Sequence, residues 1–176
     1  MEDLIKNFLI NSTLLVQVIG LVLLLILIFG KKENPLLVWV GKNALLLTFL
    51  LTVGAMAGSL FYSEVALWTP CKLCWYQRMF VYPQVFLLGM ALVRKNVEML
   101  AYTTMLSVIG AIVAIIHYAQ QMSGVKIVSC AFGNSGTSCL DTEFIGYGYI
   151  TIPLMSLTIF ALGILIYVAR NRVTKQ

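Results

Sequence analysis

The residues of this sequence with the clearest capacity for chemistry are four cysteines, which lie in two close pairs. Cys71 and Cys74 form a Cys-Lys-Leu-Cys motif, and Cys130 and Cys139 follow further along the chain. An even number of cysteines in close pairs indicates disulfide bonds or a metal site, and the compartment decides between them. The chemistry of the two pairs therefore depends on where the surrounding elements place them.

The first pair lies where a helix is expected to begin. Pro70 indicates a helix start, since proline fits the first helical turn. Cys71, Cys74 and Arg78 are then spaced i, i+3 and i+7 and share one helical face. A helix N-terminus and a nearby guanidinium both favour the thiolate, which is the form that attacks disulfides. The motif is typical of a redox-active pair.

Two other interpretations of the cysteines stay open. A structural disulfide between Cys71 and Cys74 is less favoured, because closing so short a loop constrains the unfolded chain less than closing a long one. Four thiolates could also bind zinc. Outside the cytoplasm thiols tend to oxidise instead, so no metal site is expected.

Three polar residues are candidate ligands for a cofactor beside the first pair. Arg78 lies about one turn inside an apolar segment, where a charge is costly and is either functional or extends to the lipid headgroups. His117 is the only histidine, and it is either a ligand or a hydrogen-bonded interface residue. Gln121 lies four residues further on and shares its helical face.

The composition places these residues in a membrane protein. Hydrophobic residues make up 60% of the 176 residues and charged residues only 11%, against about 25% in soluble domains. The excess of 12 Lys and Arg over 7 Asp and Glu lies between apolar runs, which indicates membrane topology rather than nucleic-acid binding. Five segments can span a bilayer as helices: Phe8–Phe29, Ala44–Phe61, Trp75–Val93, Met99–Gln120 and Tyr149–Ala169.

The positive-inside rule predicts the orientation of these spans. If all five cross, eight basic residues fall on one side, which should be the cytoplasm: Lys31, Lys32, Lys42, Arg94, Lys95, Arg170, Arg172 and Lys175. All four cysteines then face the opposite, oxidising side. The first segment is expected to be a retained span, since Glu2 and Asp3 make a poor signal-peptide start. Gly54 and Gly58 are expected to serve helix packing.

Several of these motifs together resemble the DsbB family of disulfide-generating membrane proteins, and most of all its BdbC branch. The resemblance covers about residues 43–170. The matching residues are Pro70-Cys71-Lys72-Leu73-Cys74-Trp75-Tyr76-Gln77-Arg78, Tyr82-Pro83, Ile116-His117-Tyr118, the pair Cys130 and Cys139, and Gly148-Tyr149-Ile150-Thr151-Ile152-Pro153. Two features depart from the family pattern, namely the extra N-terminal span and the short spacing of the second cysteine pair.

The resemblance implies a role for each site residue. Cys71 and Cys74 match the pair beside a quinone, ubiquinone or menaquinone, with Cys74 nearest to its ring. Arg78 and His117 match residues that lie near the quinone. Cys130 matches the cysteine that forms a mixed disulfide with a secreted thioredoxin-fold partner of the DsbA or BdbD type, and Cys139 matches its resolving mate.

We therefore expect an all-α membrane protein in the bacterial cytoplasmic membrane, with its cysteine loops outside the cytoplasm. Residues 1–42 should form an N-terminal transmembrane helix and linker, and residues 43–176 a four-helix bundle. Electrons should pass from the partner's dithiol through both cysteine pairs to the quinone. The alternatives are a vitamin K epoxide reductase-like enzyme, in which the reactive pair follows the loop cysteines, and a membrane scaffold or transporter subunit with two structural disulfides.

Overall fold

The computed structural model describes residues 2–31, 33–125, 139–140 and 145–174. Cys130, Lys32 and Lys175 lie outside the described residues, as does most of the long connection predicted between residues 121 and 148. Within the described ranges the chain is helical, and its only β pairing is a single bridge between Gly146 and Ile150.

The described residues form six helices, and five of them are long. In chain order, they are α1 (Glu2–Phe29), α2 (Pro35–Lys42), α3 (Ala44–Leu60), α4 (Lys72–Arg94), α5 (Met99–Ser123) and α6 (Ile152–Thr174). A π-helical turn, Phe61–Val65, continues α3. Each predicted span corresponds to one long helix, so the predicted fold class, a four-helix bundle with an additional N-terminal helix, is confirmed.

Four described helical segments are long and apolar enough to cross a membrane, as judged by length and composition. They are Lys6–Phe29, Ala44–Val65, Met99–Ser123 and Ile152–Thr174. Helix α4 is as long as these segments but more polar, since Gln77, Arg78 and Gln84 lie within it. It packs between α3 and α5. Gln77 and Gln84 are buried in the bundle and Arg78 lines a cavity, which are positions where a membrane protein tolerates polar groups.

The short helix α2 was not predicted. Its local signal is Asn34-Pro35, in which the Asn34 side chain accepts a hydrogen bond from the backbone N–H of Leu36 at 3.0 Å. Pro35 occupies the first helical turn, where its missing N–H has no cost. Helix α6 begins later than the predicted Tyr149, because Tyr147 and Gly148 form a turn with positive φ.

Helices α3, α4, α5 and α6 form the bundle, with α1 and α2 both packed on α6. The largest apolar core lies at the end of the bundle away from the Cys71–Cys74 motif. It contains buried residues from all six helices: Leu23, Leu37, Val40, Ala44, Leu88, Leu100, Leu162, Ile166 and Ala169. The domain boundary between residues 42 and 43 stays a prediction, and this core contains residues from both sides of it.

Candidate functional site

The Cys71–Cys74 pair lies at the N-terminus of α4. Cys71 is the N-cap residue and not part of the helix, which begins at Lys72, two residues after the predicted start at Pro70. The first helical hydrogen bond runs from the Trp75 N–H to the Cys71 carbonyl at 3.1 Å. Both cysteines are free thiols, and their sulfur atoms are 3.3 Å apart. They are therefore close enough for a disulfide to form after a small rotation.

A buried polar chain connects Cys71 to helix α5. The Cys71 sulfur lies 3.7 Å from Nε2 of His117, and Nδ1 of His117 lies 3.0 Å from the Gln77 side-chain nitrogen. All three side chains are buried. Because the Gln77 amide donates to Nδ1, a neutral His117 ring carries its hydrogen on Nε2, which faces the sulfur. His117 is thereby placed as a hydrogen-bond donor to a Cys71 thiolate.

These neighbours change the acidity of Cys71. The pKa of the Cys71 thiol is held well below its usual value, chiefly by the hydrogen bond with the Cys74 sulfur. Burial acts in the opposite direction, and the hydrogen bond and charge of His117 lower the pKa further. These contacts favour the Cys71 thiolate, which is the nucleophilic form.

The second pair reaches the same place through Cys139. Cys139 is buried and disulfide-bonded. Its sulfur, the Cys71 sulfur and a ring nitrogen of His117 all lie within 4.8 Å of one another. Such a trio could hold a metal ion, but a disulfide sulfur is not the thiolate that zinc requires, so the geometry favours thiol–disulfide exchange. The other predicted loop cysteine, Cys130, lies outside the described residues.

A cavity of about 400 Å³ begins at the first cysteine pair and extends between the helices. Its polar lining includes all three residues predicted to bind a cofactor, namely Arg78, His117 and Gln121. Cys71 and Cys74 also line it. The structure therefore brings together Cys71, Cys74, Arg78, His117 and Gln121 around one cavity, and their roles stay a prediction.

Arg78 lies in the wall of the cavity. Its guanidinium donates a hydrogen bond to the Ser59 backbone carbonyl at 2.9 Å and lies 5.3 Å from the centre of the Trp75 ring. Only one of its five N–H donors is used in the Ser59 bond, so others can reach a ligand. These contacts favour the ligand interpretation of Arg78 over snorkelling.

The interpretation of Gly54 and Gly58 as packing residues was incomplete. Both line the cavity. A methyl group built on Gly54 would meet no atom within 4 Å, and one built on Gly58 would lie 3.8 Å from a side-chain carbon of Leu9. Their small size leaves space for a ligand as well as allowing helices to approach.

Two contributions to the site were missed by the sequence prediction. Gln77 was noted within the motif but given no role, although its position three residues after Cys74 places it on the same helical face. Residues of α1 also line the cavity, and no local signal in the sequence connects this helix with the cysteines.

The cavity suits a flat, largely apolar molecule that carries hydrogen-bond acceptors. Most of its walls are apolar, and a few polar groups converge near the cysteines, as in typical small-molecule sites. Guanidinium, imidazole, carboxamide and hydroxyl groups can all donate to a carbonyl oxygen. The donor set therefore fits a quinone, whose two ring oxygens only accept.

The comparisons with known proteins point to disulfide bond formation. A family model described as "Disulfide bond formation protein DsbB" matches residues 41–169. The SPbeta prophage-derived disulfide bond formation protein B of Bacillus subtilis (strain 168) is 45% identical over 124 residues, covering 70% of this chain and 82% of that protein. Disulfide bond formation protein C of the same organism is 39% identical over 115 residues, covering 63% of this chain and 80% of that protein.

A third relative covers more of both chains. The probable disulfide formation protein of Oceanobacillus iheyensis is 39% identical over 138 residues, which cover 75% of this chain and 94% of that protein. No solved structure matches the chain significantly.

Proposed function

The chain belongs to the DsbB family of disulfide bond formation proteins, and we propose that it passes electrons from a secreted dithiol partner to a membrane quinone. It is a multi-pass membrane oxidoreductase of disulfide bond formation. The partner proposed is an extracytoplasmic protein with a thioredoxin fold. Its dithiol would reduce the disulfide between Cys130 and Cys139 and leave the partner oxidised for the next substrate.

The proposed location is the bacterial cytoplasmic membrane, with the cysteines on its outer side. Support comes from the basic residues, which cytoplasmic loops retain. In the structure, Arg172 at the end of α6 donates to the Leu27 and Gly30 carbonyls at the end of α1, and Gly41 packs against Arg170. This basic end lies opposite Cys71.

One observation carries the proposal. The Cys71 sulfur lies within 4.8 Å of the Cys139 sulfur and also lines the cavity. After the partner has reduced the loop disulfide, the Cys139 thiolate can attack Cys71 of an oxidised Cys71–Cys74 pair. A Cys139–Cys71 bond forms, the Cys71–Cys74 bond breaks, and Cys74 leaves as a thiolate beside the cavity.

The second exchange restores the loop disulfide. The Cys130 thiolate attacks Cys139, and Cys71 leaves as a thiolate stabilised by His117 and by the Cys74 hydrogen bond. The first pair is then a dithiol that holds two electrons. Their acceptor would be a quinone held in the cavity, which can take two electrons.

The remaining cavity residues would bind and orient this acceptor. Arg78 can donate to a ring oxygen, and that bond strengthens as the oxygen gains negative charge. His117 also lines the cavity, and its Nε2–H can donate to the Cys71 thiolate or to a ligand oxygen. Gln121 can donate its amide N–H to the ligand from the same wall.

The proposal is tested with purified full-length protein in liposomes that contain a short-chain ubiquinone or menaquinone, with dithiothreitol as the dithiol. Quinone absorbance should fall with saturable kinetics in the parent, and Cys74→Ser should abolish the reaction. A variant with Cys74→Ala and Cys130→Ala should form the Cys71–Cys139 bond on oxidation with glutathione disulfide, as detected by peptide mapping.

The matched control variant retains Cys74 and lacks Cys71. A variant with Cys71→Ala and Cys130→Ala should form its Cys74–Cys139 bond more slowly, since Cys71 is the sulfur placed beside Cys139. A parent protein that exchanges disulfides with dithiothreitol but reduces neither quinone would exclude quinone as the acceptor. Equal rates for the two double variants would exclude Cys71 as the point of transfer.

A further inference from the structure

Helix α1 contributes one face to the cavity, although it lies outside residues 41–169 that the family model matches. The residues concerned recur every three to four positions, which is the spacing of one helical face. They are Phe8, Leu9, Ser12, Thr13 and Val16. The opposite side of the helix is apolar and exposed, with Leu14 38% exposed and Val18 54% exposed.

Polar bonds fix the outer half of α1 to the segment that leads into α6. The Tyr147 hydroxyl donates to the Asn11 side chain at 2.7 Å. The Tyr149 hydroxyl donates to the Gln17 side-chain oxygen at 3.0 Å, and the Gln17 amide donates to the Thr158 hydroxyl at 3.2 Å. Within a bilayer such polar pairs are strongly preferred to unpaired groups, so they set the rotation of α1 about its axis.

The far end of α1 is fixed as well. The Arg172 guanidinium donates to the backbone carbonyls of Leu27 and Gly30, which are among the terminal carbonyls that have no partner within the helix. In the middle of the helix, Gly20 allows close approach to Leu162, whose methyl carbon lies 3.8 Å from the position of an added Cβ. Bonds at both ends thus hold α1 along the length of α6.

From this position α1 reaches across the cavity to α3. Leu9 lies against Gly58 of α3, while Gln17 is bonded to Thr158 of α6. The bundle helices α3 and α6 line the cavity on either side of this crossing, through Gly54 and Ile159 among others. The helix therefore closes a side of the cavity that α3–α6 alone would leave to lipid.

Ser12 is the residue of this face best suited to meet a polar ligand. Ser12 lines the cavity, and its hydroxyl forms no hydrogen bond within the described part of the chain, whereas its neighbour Thr13 donates to the Leu9 carbonyl at 2.8 Å. An unbonded hydroxyl in a bilayer is costly. A ligand oxygen in the cavity would remove that cost.

We propose that α1 is a fifth wall of the quinone-binding cavity and that Ser12 and Val16 contact the bound quinone, so that this N-terminal helix helps to select which quinones enter. The inference rests on the proposed function, because it concerns the same cavity. It assigns a binding role to a helix that lies outside the matched family domain.

The test uses the full chain in liposomes and compares Ser12→Trp with Leu14→Trp. The first substitution directs an indole into the cavity, and the second places it at nearly the same depth on the exposed side of the helix away from the cavity. A photoreactive azido-ubiquinone should label the peptide containing residues 8–16 as well as peptides of α3 and α4. Ser12→Trp should abolish the α1 label and raise the apparent KM for quinone on the order of tenfold, and Leu14→Trp should change neither.

Val16→Phe is a milder variant that tests the same inference if Ser12→Trp misfolds. It should also raise the apparent KM for quinone. Reduction of the loop disulfide by dithiothreitol should be unchanged in all three variants, which shows that the fold persists. Label on α3 and α4 but not on α1, with parental KM values in Ser12→Trp and Val16→Phe, would overturn the inference and leave the proposed function standing. A parent that neither reduces nor binds the azido-ubiquinone would overturn both.

Discussion

The acidity of Cys71 can be tested by removing, one at a time, the two groups that stabilise its thiolate. The variants are Cys74→Ala and His117→Ala. In the parent, the rate of Cys71 alkylation should reach half its maximum well below the pH of about 8.5 typical of a free thiol, because the pKa of Cys71 is lowered. Each substitution removes a stabilising interaction with the thiolate, so the pKa rises and the whole alkylation curve moves to higher pH.

The expected size follows from the contacts. A hydrogen bond to a charged group contributes about 1.5–3 kcal/mol, and about 1.4 kcal/mol corresponds to one pH unit. The Cys74 sulfur is 3.3 Å from Cys71 and contributes the largest effect on its pKa. Cys74→Ala should therefore move the midpoint by about one to two pH units. His117 is further away, at 3.7 Å, and its removal should move the midpoint by about one pH unit.

The assay is alkylation by iodoacetamide over a range of pH, with the Cys71 peptide quantified by mass spectrometry. Tyr118→Phe is the matched control, since its hydroxyl donates to the Tyr149 carbonyl at 3.3 Å on an exposed part of the neighbouring turn and should leave the curve in place. A parental midpoint at or above the free-thiol value would refute the reasoning. So would a larger displacement from His117→Ala than from Cys74→Ala.

Two further predictions concern binding and stability. Arg78→Lys keeps the charge but loses the planar donor group that now bonds Ser59. In steady-state assays the variant should raise the apparent KM for quinone about tenfold or more. Single-turnover reduction of the loop disulfide should persist. If the variant instead matches the parent's rate at low quinone concentration, Arg78 is a membrane anchor. Gly110→Ala should destabilise the bundle by about 1–3 kcal/mol, because the added methyl would overlap the buried Phe160 ring. Thermal unfolding in detergent would measure this change. Gly54→Ala is the control, since its added methyl meets no atom within 4 Å. Equal melting temperatures for the two variants would contradict the packing argument.

The long helices could be predicted because few backbone conformations are stable within a bilayer. Apolar runs of sufficient length must satisfy their hydrogen bonds internally, so hydropathy located α1, α3, α5 and α6 directly. Helix α4 was located as much by its motif, since the spacing of Cys71, Cys74 and Arg78 places them on one face in the structure as well. Local rules of this kind determine both the elements and the rotation of the site residues about α4.

Features that depend on contacts between distant segments were not predictable in the same way. The role of α1 comes from Gln17 and Arg172, whose partners lie far along the chain, and nothing near either residue indicates them. Gly54 and Gly58 show a second limit, because a small-residue motif allows either close packing or an open cavity. The neighbouring side chains decide which of the two results.

The low pKa of Cys71 also favours electron transfer in one direction, from the loop cysteines to the Cys71–Cys74 pair. Considered as leaving groups alone, Cys71 is better than Cys74, so an incoming thiolate would attack Cys74 first. Geometry reverses that preference, because the Cys139 sulfur lies beside Cys71. In the next step the same low pKa helps, since Cys71 is then the group that leaves when the loop disulfide reforms. A thiolate of low pKa is also a weaker nucleophile. The Cys71 thiolate therefore attacks the re-formed loop disulfide slowly, and the two electrons stay on the Cys71–Cys74 pair beside the cavity.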